Sequence, residues 1–212
     1  MRRCPIREVR PNRERNTVNY YIGDLHLSHA NVIRFDNRPF DTLEEMHRKI
    51  IDNWNARVKP NDTVYILGDF CWAKESDWPY YLAPLPGQKV LIRGNHDPKQ
   101  FSKEVKKFFQ DIKDYKEITD SGKHVILSHY PILFHKADYN PDCWMLYGHV
   151  HKTREQQFIE KFRREVRESH SDQSHCLGNW INVGCMLPWM NYTPRTLDEL
   201  IELDRKYYNN EI

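Results

Sequence analysis

The chain has 212 residues, of which 39% are hydrophobic and 29% are charged, and its formal net charge is +2. This length is enough for one α/β domain with a sizeable core and does not require a second domain. The near balance of 32 basic and 30 acidic residues lacks the basic footprint of a dedicated nucleic-acid-binding protein. Apolar stretches stay well short of the roughly 18 residues of a membrane span, so we expect no membrane insertion.

Residues 1–17 are rich in Arg, Asn and Pro, and we expect them to form an N-terminal arm on the surface. The start of the chain is basic, but it lacks the apolar segment and cleavage site of a signal peptide. The five cysteines form no Cys-x-x-Cys pair, which fits reduced thiols. These features favour a cytoplasmic location.

An alternation of buried strands and amphipathic helices follows the arm. The apolar run 18–22 predicts the first strand, and Thr42 with Glu45 forms a capping-box signature ahead of a helix. Residues 63–67 and 89–92 predict the second and third strands. Because strands alternate with helical segments, we expect a largely parallel sheet.

The second half of the chain is richer in strands. Residues 100–110 place aromatic and aliphatic side chains on one side of a predicted helix. A second capping-box signature, Thr196 with Glu199, predicts the last helix. Four further strands are expected near residues 115–119, 124–127, 144–147 and 180–183. The sequence therefore predicts one α/β domain over residues 18–212.

A polar stretch at about 152–178 interrupts the strands of the second half. It interleaves Lys and Arg with Glu, and we expect an inserted helix or hairpin. Such a charge pattern is typical of a solvated helical face. The alternative interpretation is a lid that contacts substrate, because long insertions at the rim of an α/β site often carry function.

Five short polar motifs each directly follow an apolar run. They are Asp24-Leu25-His26, Gly68-Asp69, Gly94-Asn95-His96-Asp97, Ser128-His129 and Gly148-His149-Val150-His151. Because strand ends can meet at one edge of a sheet, these side chains can converge on one site. Carboxylate, carboxamide and imidazole groups without thiolates suit a pair of borderline divalent metals. The pattern indicates a two-metal phosphoesterase.

In this order, the motifs resemble those of the calcineurin-like metallophosphoesterase superfamily: Asp-x-His, Gly-Asp, Gly-Asn-His-Asp, a His, and Gly-His-x-His. Similarity to small bacterial and phage-type single-domain members extends to residues 31–35, 37–40 and 182–184. The resemblance implies a four-layer α/β/β/α sandwich of two mixed sheets.

The resemblance also implies a set of metal ligands. One metal would be held by Asp24, His26, Asp69 and His151, and the other by Asp69, Asn95, His129 and His149. Asp69 would then be the bridge, since the two oxygens of a carboxylate can bind two cations. We favour manganese, with iron, zinc, cobalt or nickel as alternatives. A hydroxide between the metals would attack phosphorus, so no protein nucleophile is required.

The resemblance further implies that His96 contacts the phosphate or protonates the leaving oxygen, and that Asp97 orients His96. Arg34 and Arg38 are candidate substrate-binding residues, because they lie near the first ligand loop and a guanidinium can grip a phosphate. His29 is a third candidate. Solvated arginines and a histidine at a helix start are the alternatives.

Phe-Cys-Trp follows Gly68-Asp69, where protein Ser/Thr phosphatases and dinucleoside-tetraphosphate hydrolases carry Val-Asp-Arg-Gly. This difference disfavours both substrate classes. We favour a compact phosphodiesterase acting on a small or nucleotide-like phosphate ester over a phosphomonoesterase. The different-class alternative is a metal-binding scaffold of the same fold without turnover. The presence of both Asn95 and His96 argues against it, because neither has a structural need in such a scaffold.

Overall fold

The structure is a computed structural model that describes residues 17–169, 178–209 and 211. Its elements in chain order are β1 (Asn19–Ile22), α1 (Ala30–Phe35), α2 (Leu43–Arg57), β2 (Thr63–Leu67), α3 (Trp78–Leu82), β3 (Gln88–Ile92), α4 (Lys103–Lys106), β4 (Asp111–Lys113), β5 (Tyr115–Asp120), β6 (Lys123–Ser128), β7 (Cys143–Tyr147), α5 (Arg154–Ser169), β8 (Trp180–Asn182) and α6 (Leu197–Tyr208). Apart from residue 17, the predicted N-terminal arm lies outside the described residues.

Two four-stranded sheets form the centre of the molecule. The first has the order β1-β2-β3-β4, and its three strand pairs are parallel because each connection carries at least one helix. An isolated antiparallel bridge between Tyr21 and Arg195 adds to it at the β1 edge. The second sheet has the order β5-β6-β7-β8, with β5 antiparallel to β6 and the other pairs parallel.

Alternate residues of the second sheet face two different cores. Leu127 and Leu146 belong to the larger core, which also contains side chains of the first sheet and of α2. Ile126 and Met145 belong to a smaller core with Ile159 of α5. Because neighbouring residues of a strand point to opposite faces, the layers run helices, first sheet, second sheet, α5. The predicted four-layer sandwich is confirmed.

Both predicted capping signatures mark the starts of helices. The Thr42 side chain accepts a hydrogen bond from the Glu45 backbone N–H at the start of α2. The Glu45 carboxylate accepts from the backbone N–H of Asp41 instead of closing the box on Thr42. At the start of α6, Thr196 and Glu199 form the complete capping box. None of the helices in the described ranges is both long and apolar enough to cross a bilayer.

The predicted helix over residues 100–110 is wrong in extent. Only the four residues of α4 are helical, and the chain then enters β4, a short edge strand without an apolar run. The aromatic residues of this segment enter the larger core without a continuous helix: Phe101 contacts Trp78 and Phe109 there. Aromatic packing around a single turn therefore imitates helical spacing in the sequence.

The polar stretch at about 152–178 contains α5, and residues 170–177 lie outside the described residues. One face of α5 is solvated as expected, but Ile159 and Val166 on the other are buried. Arg163 is buried with them, where its guanidinium pairs with Asp204 at 2.6 Å and donates to the Gly178 carbonyl at 2.6 Å. This packing makes α5 an outer layer over the second sheet.

Candidate metal centre

The five polar motifs meet where strands β1, β2, β3, β6 and β7 end. Backbone hydrogen bonds tie neighbouring motifs together: the Asp24 N–H donates to the Gly68 carbonyl, and the His26 N–H donates to the Asp69 carbonyl. The Gly148 N–H likewise donates to the His129 carbonyl. The two sheets are joined at this end by a bridge between Gly23 and Gly184. The fold therefore brings all five motifs to one edge, as the sequence predicts.

The backbone at most of the predicted metal ligands is left-handed. Five of the seven have positive φ, namely Asp24 (53°), His26 (50°), Asp69 (50°), His149 (69°) and His151 (45°). Residues with a Cβ adopt this region rarely, and it is enriched at functional sites. The loops turn sharply immediately after the strands, which directs these side chains back over the sheet edge.

Glycines make room for the ligands. A Cβ on Gly94 would lie 2.2 Å from Asp69 Oδ1, and a Cβ on Gly68 would lie 2.2 Å from His129 Nδ1. Both distances are far below van der Waals contact, and Gly68 also has a φ of +80°. Only glycine permits this approach. The glycines of the Gly-Asp and Gly-Asn-His motifs are therefore needed by the shape of the site.

Asp24, His26 and His151 form one candidate metal-ligand group. Each offers a ligand atom within 4.8 Å of the others. His26 Nε2 lies 3.2 Å from His151 Nε2, which in turn lies 3.5 Å from Asp24 Oδ1. Burial lowers the pKa of His26 to about 3. Burial would raise the pKa of Asp24, but the nearby imidazoles, His151 foremost, lower it to about 2. The neutral imidazole of His26 beside the ionised carboxylate of Asp24 is the state that a cation requires.

Asp36 orients His151 from behind. Its Oδ1 lies 2.7 Å from His151 Nδ1, while its Oδ2 accepts two N–H groups of Arg38 at 3.0 and 2.9 Å. Burial would lower the pKa of His151, but hydrogen bonds with Asp24 and Asp36 raise it to about 10. With Nδ1 directed at a carboxylate, Nε2 faces the candidate group, an arrangement common for metal-binding histidines. Sequence reasoning missed Asp36, whose only signal is a carboxylate two residues before an arginine.

The structure corrects the expectation that Arg38 grips a phosphate. Arg38 is 4% exposed, and all five of its N–H groups are engaged. They donate to Asp36, to the backbone carbonyls of Asp24 and Leu25, and to the Met46 sulfur. Arg38 therefore braces the first ligand loop from below. A guanidinium whose five N–H groups all donate inside the protein has no donor left for substrate.

The Asp69 carboxylate lies between His26 and His129. Its Oδ2 is 3.7 Å from His26 Nε2 and 3.7 Å from His129 Nε2. His129 Nδ1 donates to the Leu67 carbonyl at 2.9 Å, which leaves Nε2 as its ligand atom. Asn95 Oδ1 lies 3.0 Å from that Nε2. One carboxylate oxygen therefore faces ligand nitrogens on both sides.

A second candidate group, Asp24, Asp69 and His129, shares Asp24 with the first. In this group, Asp24 Oδ1 lies 4.0 Å from His129 Nδ1. That nitrogen is already committed to the Leu67 carbonyl, so this approach does not make Asp24 a bridge. Asp24 instead accepts the His149 backbone N–H at 3.0 and 3.1 Å. Asp69 is thus better placed than Asp24 to contact two cations.

His149 and Asn95 border the opening of the site. The His149 ring is half-buried against the rings of His129 and Tyr130, with centroids 5.1 and 4.6 Å away. Burial, with His129 nearby, lowers the pKa of His149. Neither residue is part of the two three-residue groups, whose His and Asp ligand atoms lie within 4.8 Å of one another. Asn95 offers a carboxamide oxygen, and the His149 nitrogens do not meet this distance. Both are nevertheless brought to the same cavity.

His96 and Asp97 are adjacent in sequence but occupy different environments. His96 is exposed, and its backbone N–H donates to Asp69 Oδ1 at 2.9 Å. Asp97 is buried and accepts the backbone N–H groups of Asp69, Phe70 and Gly94 at 2.9, 3.0 and 2.8 Å. Burial raises the pKa of Asp97 to about 6, against these hydrogen bonds. Asp97 therefore fastens two ligand loops together, instead of orienting the His96 ring as the resemblance implied.

A cavity of about 460 Å³ opens above the candidate ligands. Its lining consists of His26, His29, Val32, Phe35, Asp36, Asp69, Trp72, Asn95, His96, His149, His151 and Thr153. His29 stacks on Trp72 in this lining. Arg34 is exposed on α1 with its guanidinium 5.4 Å from the Phe35 ring, and it does not line the cavity. A cavity of this volume is suited to a small molecule.

Residues 20–185 match the family model described as calcineurin-like phosphoesterase. The chain belongs to this family. It is 32% identical over 191 residues to the uncharacterized protein MJ1445 of Methanocaldococcus jannaschii, an alignment that covers 88% of this chain and 91% of that protein. The Gene 66 protein of Mycobacterium phage L5 is 27% identical over 159 residues, which cover 62% of this chain and 76% of the phage protein.

A solved structure shares this fold. The protein of unknown function AQ665 from Aquifex aeolicus superposes with a TM-score of 0.64 at 31% identity, covering 89% of this chain and all of that one. Calcineurin-like phosphoesterases typically bind divalent metals and hydrolyse phosphoric esters, and this chain supplies two candidate metal-ligand groups. The names of these relatives do not specify a substrate.

Proposed function

We propose that this calcineurin-like phosphoesterase is a two-metal phosphodiesterase that hydrolyses a small or nucleotide-like phosphate ester. The observation that carries the proposal is the position of Asp69 Oδ2, which is 3.7 Å from a ligand nitrogen of His26 and 3.7 Å from one of His129. A carboxylate oxygen with an imidazole on either side is suited to lie between two cations. Two metals in such sites are typically about 3.5 to 4 Å apart.

The donor set fits a pair of divalent metals. On one side of Asp69 we assign Asp24, His26 and His151, and on the other we assign Asn95, His129 and His149. Two cations held there would make water a competent nucleophile near neutral pH and would stabilise both the entering and the leaving oxygen at phosphorus. The nitrogen and oxygen donors accept manganese, which we favour, and also iron, zinc, cobalt or nickel.

Thiolate coordination is not part of the proposal. Cys185 lies beneath the site, but its sulfur contacts the Asp24 carbonyl at 3.1 Å and burial raises its pKa to about 12. Burial also raises the pKa of Cys71 to about 12. Both sulfurs therefore stay protonated at neutral pH, when they are weak metal ligands. This supports a site of nitrogen and oxygen donors.

We assign His96 to the substrate phosphate. Its backbone is anchored to the carboxylate that we place between the metals, so its ring stays at the rim of the metal centre. From there the imidazole can contact a phosphate oxygen or donate a proton to the leaving oxygen, as a general acid does. Asp97 acts indirectly, because it holds the backbone on both sides of Asp69.

The experiment that tests this function compares bis-p-nitrophenyl phosphate with p-nitrophenyl phosphate. Protein stripped with a chelator is assayed after addition of manganese, nickel, zinc or magnesium, and bound metal is measured in the same samples. We expect turnover of the diester that requires added metal and exceeds turnover of the monoester. Faster monoester hydrolysis would identify a phosphomonoesterase. Two bound metals without hydrolysis of either ester would favour a metal-binding scaffold, or a substrate that the polar stretch at about 152–178 strictly selects.

A further inference from the structure

We propose that one wall of the cavity binds a planar aromatic group carried by the substrate, on the leaving-group side of the phosphate. The proposal rests on the phosphoesterase function above and specifies its substrate class. The wall consists of His29, Phe35 and Trp72, which we call the aromatic shelf. It shares the 460 Å³ cavity with the candidate metal ligands.

Trp72 is the centre of the aromatic shelf. Trp72 is 46% exposed, although tryptophan is on average highly buried. The ring stacks on that of His29, with centroids 4.1 Å apart and planes inclined by 23°. The Trp72 backbone N–H donates to the Leu27 carbonyl at 2.7 Å, and a bridge joins Leu27 to Cys71. Trp72 is thus held at the rim as a fixed surface.

Phe35 extends the aromatic shelf outward. It ends α1 and is 65% exposed, with its ring centroid 6.3 Å from that of His29. Val32, also on α1, lines the same wall. Exposed apolar side chains that lie side by side are a feature of binding sites, whereas on other surfaces such side chains are scattered singly. The shelf is therefore a contiguous π surface.

The aromatic shelf leads directly to the group that we assign to proton transfer. The ring centroid of Trp72 lies 4.5 Å from that of His96, and the His96 centroid lies 5.9 Å from that of His26. A phosphate bound at the metal ligands, with its leaving oxygen near His96, would direct the leaving group along Trp72. In this pose the shelf adjoins the leaving group and not the opposite side of the phosphate.

Among the described residues, the lining of the cavity has no free negative charge that would repel such an ester. The acidic residues that line the cavity are engaged elsewhere: Asp36 binds Arg38 and His151, and Asp69 faces the ligand histidines. The shelf therefore offers apolar and π contacts without a free carboxylate. A nucleobase or an aryl ring satisfies these contacts, because base stacking on aromatic side chains depends on the π face and not on a particular hydrogen-bond pattern. The cavity volume suits one nucleotide-sized molecule.

The test measures binding to manganese-loaded protein by calorimetry, and it does not depend on turnover. The ligands are inorganic phosphate, methyl phosphate, phenyl phosphate and a nucleoside 5′-monophosphate. We expect the phenyl and nucleoside esters to bind about tenfold more tightly than methyl phosphate, at the low end of the range for stacking. Trp72→Leu should reduce this ratio to about two, and Phe35→Leu should reduce it in part.

Tyr80→Leu is the matched control, since Tyr80 is an exposed aromatic residue outside the cavity lining. The ratio of two esters on one protein cancels any effect of Trp72→Leu on phosphate binding through His96. If methyl and phenyl phosphate bind the wild-type protein equally while inorganic phosphate binds well, the aromatic shelf has no role and the phosphoesterase function stands. If no phosphate ligand binds the metal-loaded protein, both proposals are wrong.

Discussion

Asp36 Oδ1 lies 2.7 Å from His151 Nδ1, and Arg38 holds the other oxygen of the same carboxylate. This chain of contacts fixes which nitrogen of His151 faces the candidate metal centre. We expect Asp36→Asn to weaken metal binding by about 10- to 100-fold, the usual effect of removing such a partner. The fold should persist, because an Asn can still accept a hydrogen bond from Arg38.

Competition with a chromophoric chelator measures the metal affinity of Asp36→Asn. Asp41→Asn is the matched control, since Asp41 is exposed in the same segment of the chain. Equal affinities of the two variants would show that His151 needs no carboxylate behind it.

Asp69→Asn should lower the metal content below two ions per chain. The amide retains an oxygen that can accept the His96 N–H, so the loop stays in place. It offers only one oxygen and no charge, however, and therefore cannot offset the repulsion of two cations. Elemental analysis after gel filtration measures the content, with Asp77→Asn, outside the candidate groups, as control. Retention of two ions would rule out Asp69 as the bridge.

His96→Ala should keep both metals but reduce turnover by about 10²- to 10⁴-fold, the usual contribution of a general acid. Metal binding persists because the contact with Asp69 uses the His96 backbone and not its ring. Activity on a diester and metal content are measured in parallel, with His124→Ala as control. His124 pairs with Glu117 on the second sheet, away from the motifs. An active His96→Ala variant would remove His96 from the mechanism.

Asp97→Asn should destabilise the protein and reduce metal binding together. Asp97 accepts three backbone N–H groups, but an Asn side chain has a single acceptor oxygen and directs its amide NH2 group toward another donor. We expect a loss of about 1 to 3 kcal/mol from such unsatisfied groups. Urea unfolding gives the free energy, and Asp52→Asn on the exposed side of α2 is the control. A fully stable Asp97→Asn variant would contradict its positioning role.

Lys89 should make the stability of the protein depend on pH between about 8 and 10.5. Its side chain is 5% exposed, and burial lowers its pKa from 10.5 to about 8. In this interval the unfolded chain holds a proton that the folded protein has lost, so stability from this group rises with pH. Below pH 8 the buried ammonium destabilises the fold by a constant amount.

Lys89→Met should therefore stabilise the protein at pH 7, by about 1 to 3 kcal/mol. The gain should shrink as the pH rises from 8 to 10.5. Urea titrations at several pH values measure it, with Lys106→Met as an exposed control. A gain that does not change with pH would mean that the Lys89 ammonium is not destabilising.

Local patterns in the sequence predicted the framework well. An apolar run that ends at a polar motif specifies both a strand and its end. For this reason the strands that precede Asp24, Asp69 and His129 are predicted to within a residue or two. The capping pairs are also predictable from the sequence, because a helix start depends on two residues that are three positions apart. The short edge strand β4 was missed because it has three residues and no apolar run.

The sequence does not predict contacts between distant segments. Asp36 and His151 are 115 residues apart, and neither stands in a pattern that pairs them. Arg38 was misassigned because a sequence shows a charge but not the buried carbonyl groups that use it. The same limit applies to Arg163, whose burial depends on Asp204 in another helix. Polar residues that serve the interior look like surface residues until their partners are known.

The left-handed backbone at five of the predicted ligands has a consequence for how this protein can change. Each such residue costs about 1 to 3 kcal/mol relative to a relaxed backbone. Glycine at His26 or Asp69 would relieve that cost and remove a candidate ligand at the same time. Stability alone would therefore favour other residues at these five positions, and the candidate ligands hold a backbone shape that a relaxed chain would not adopt.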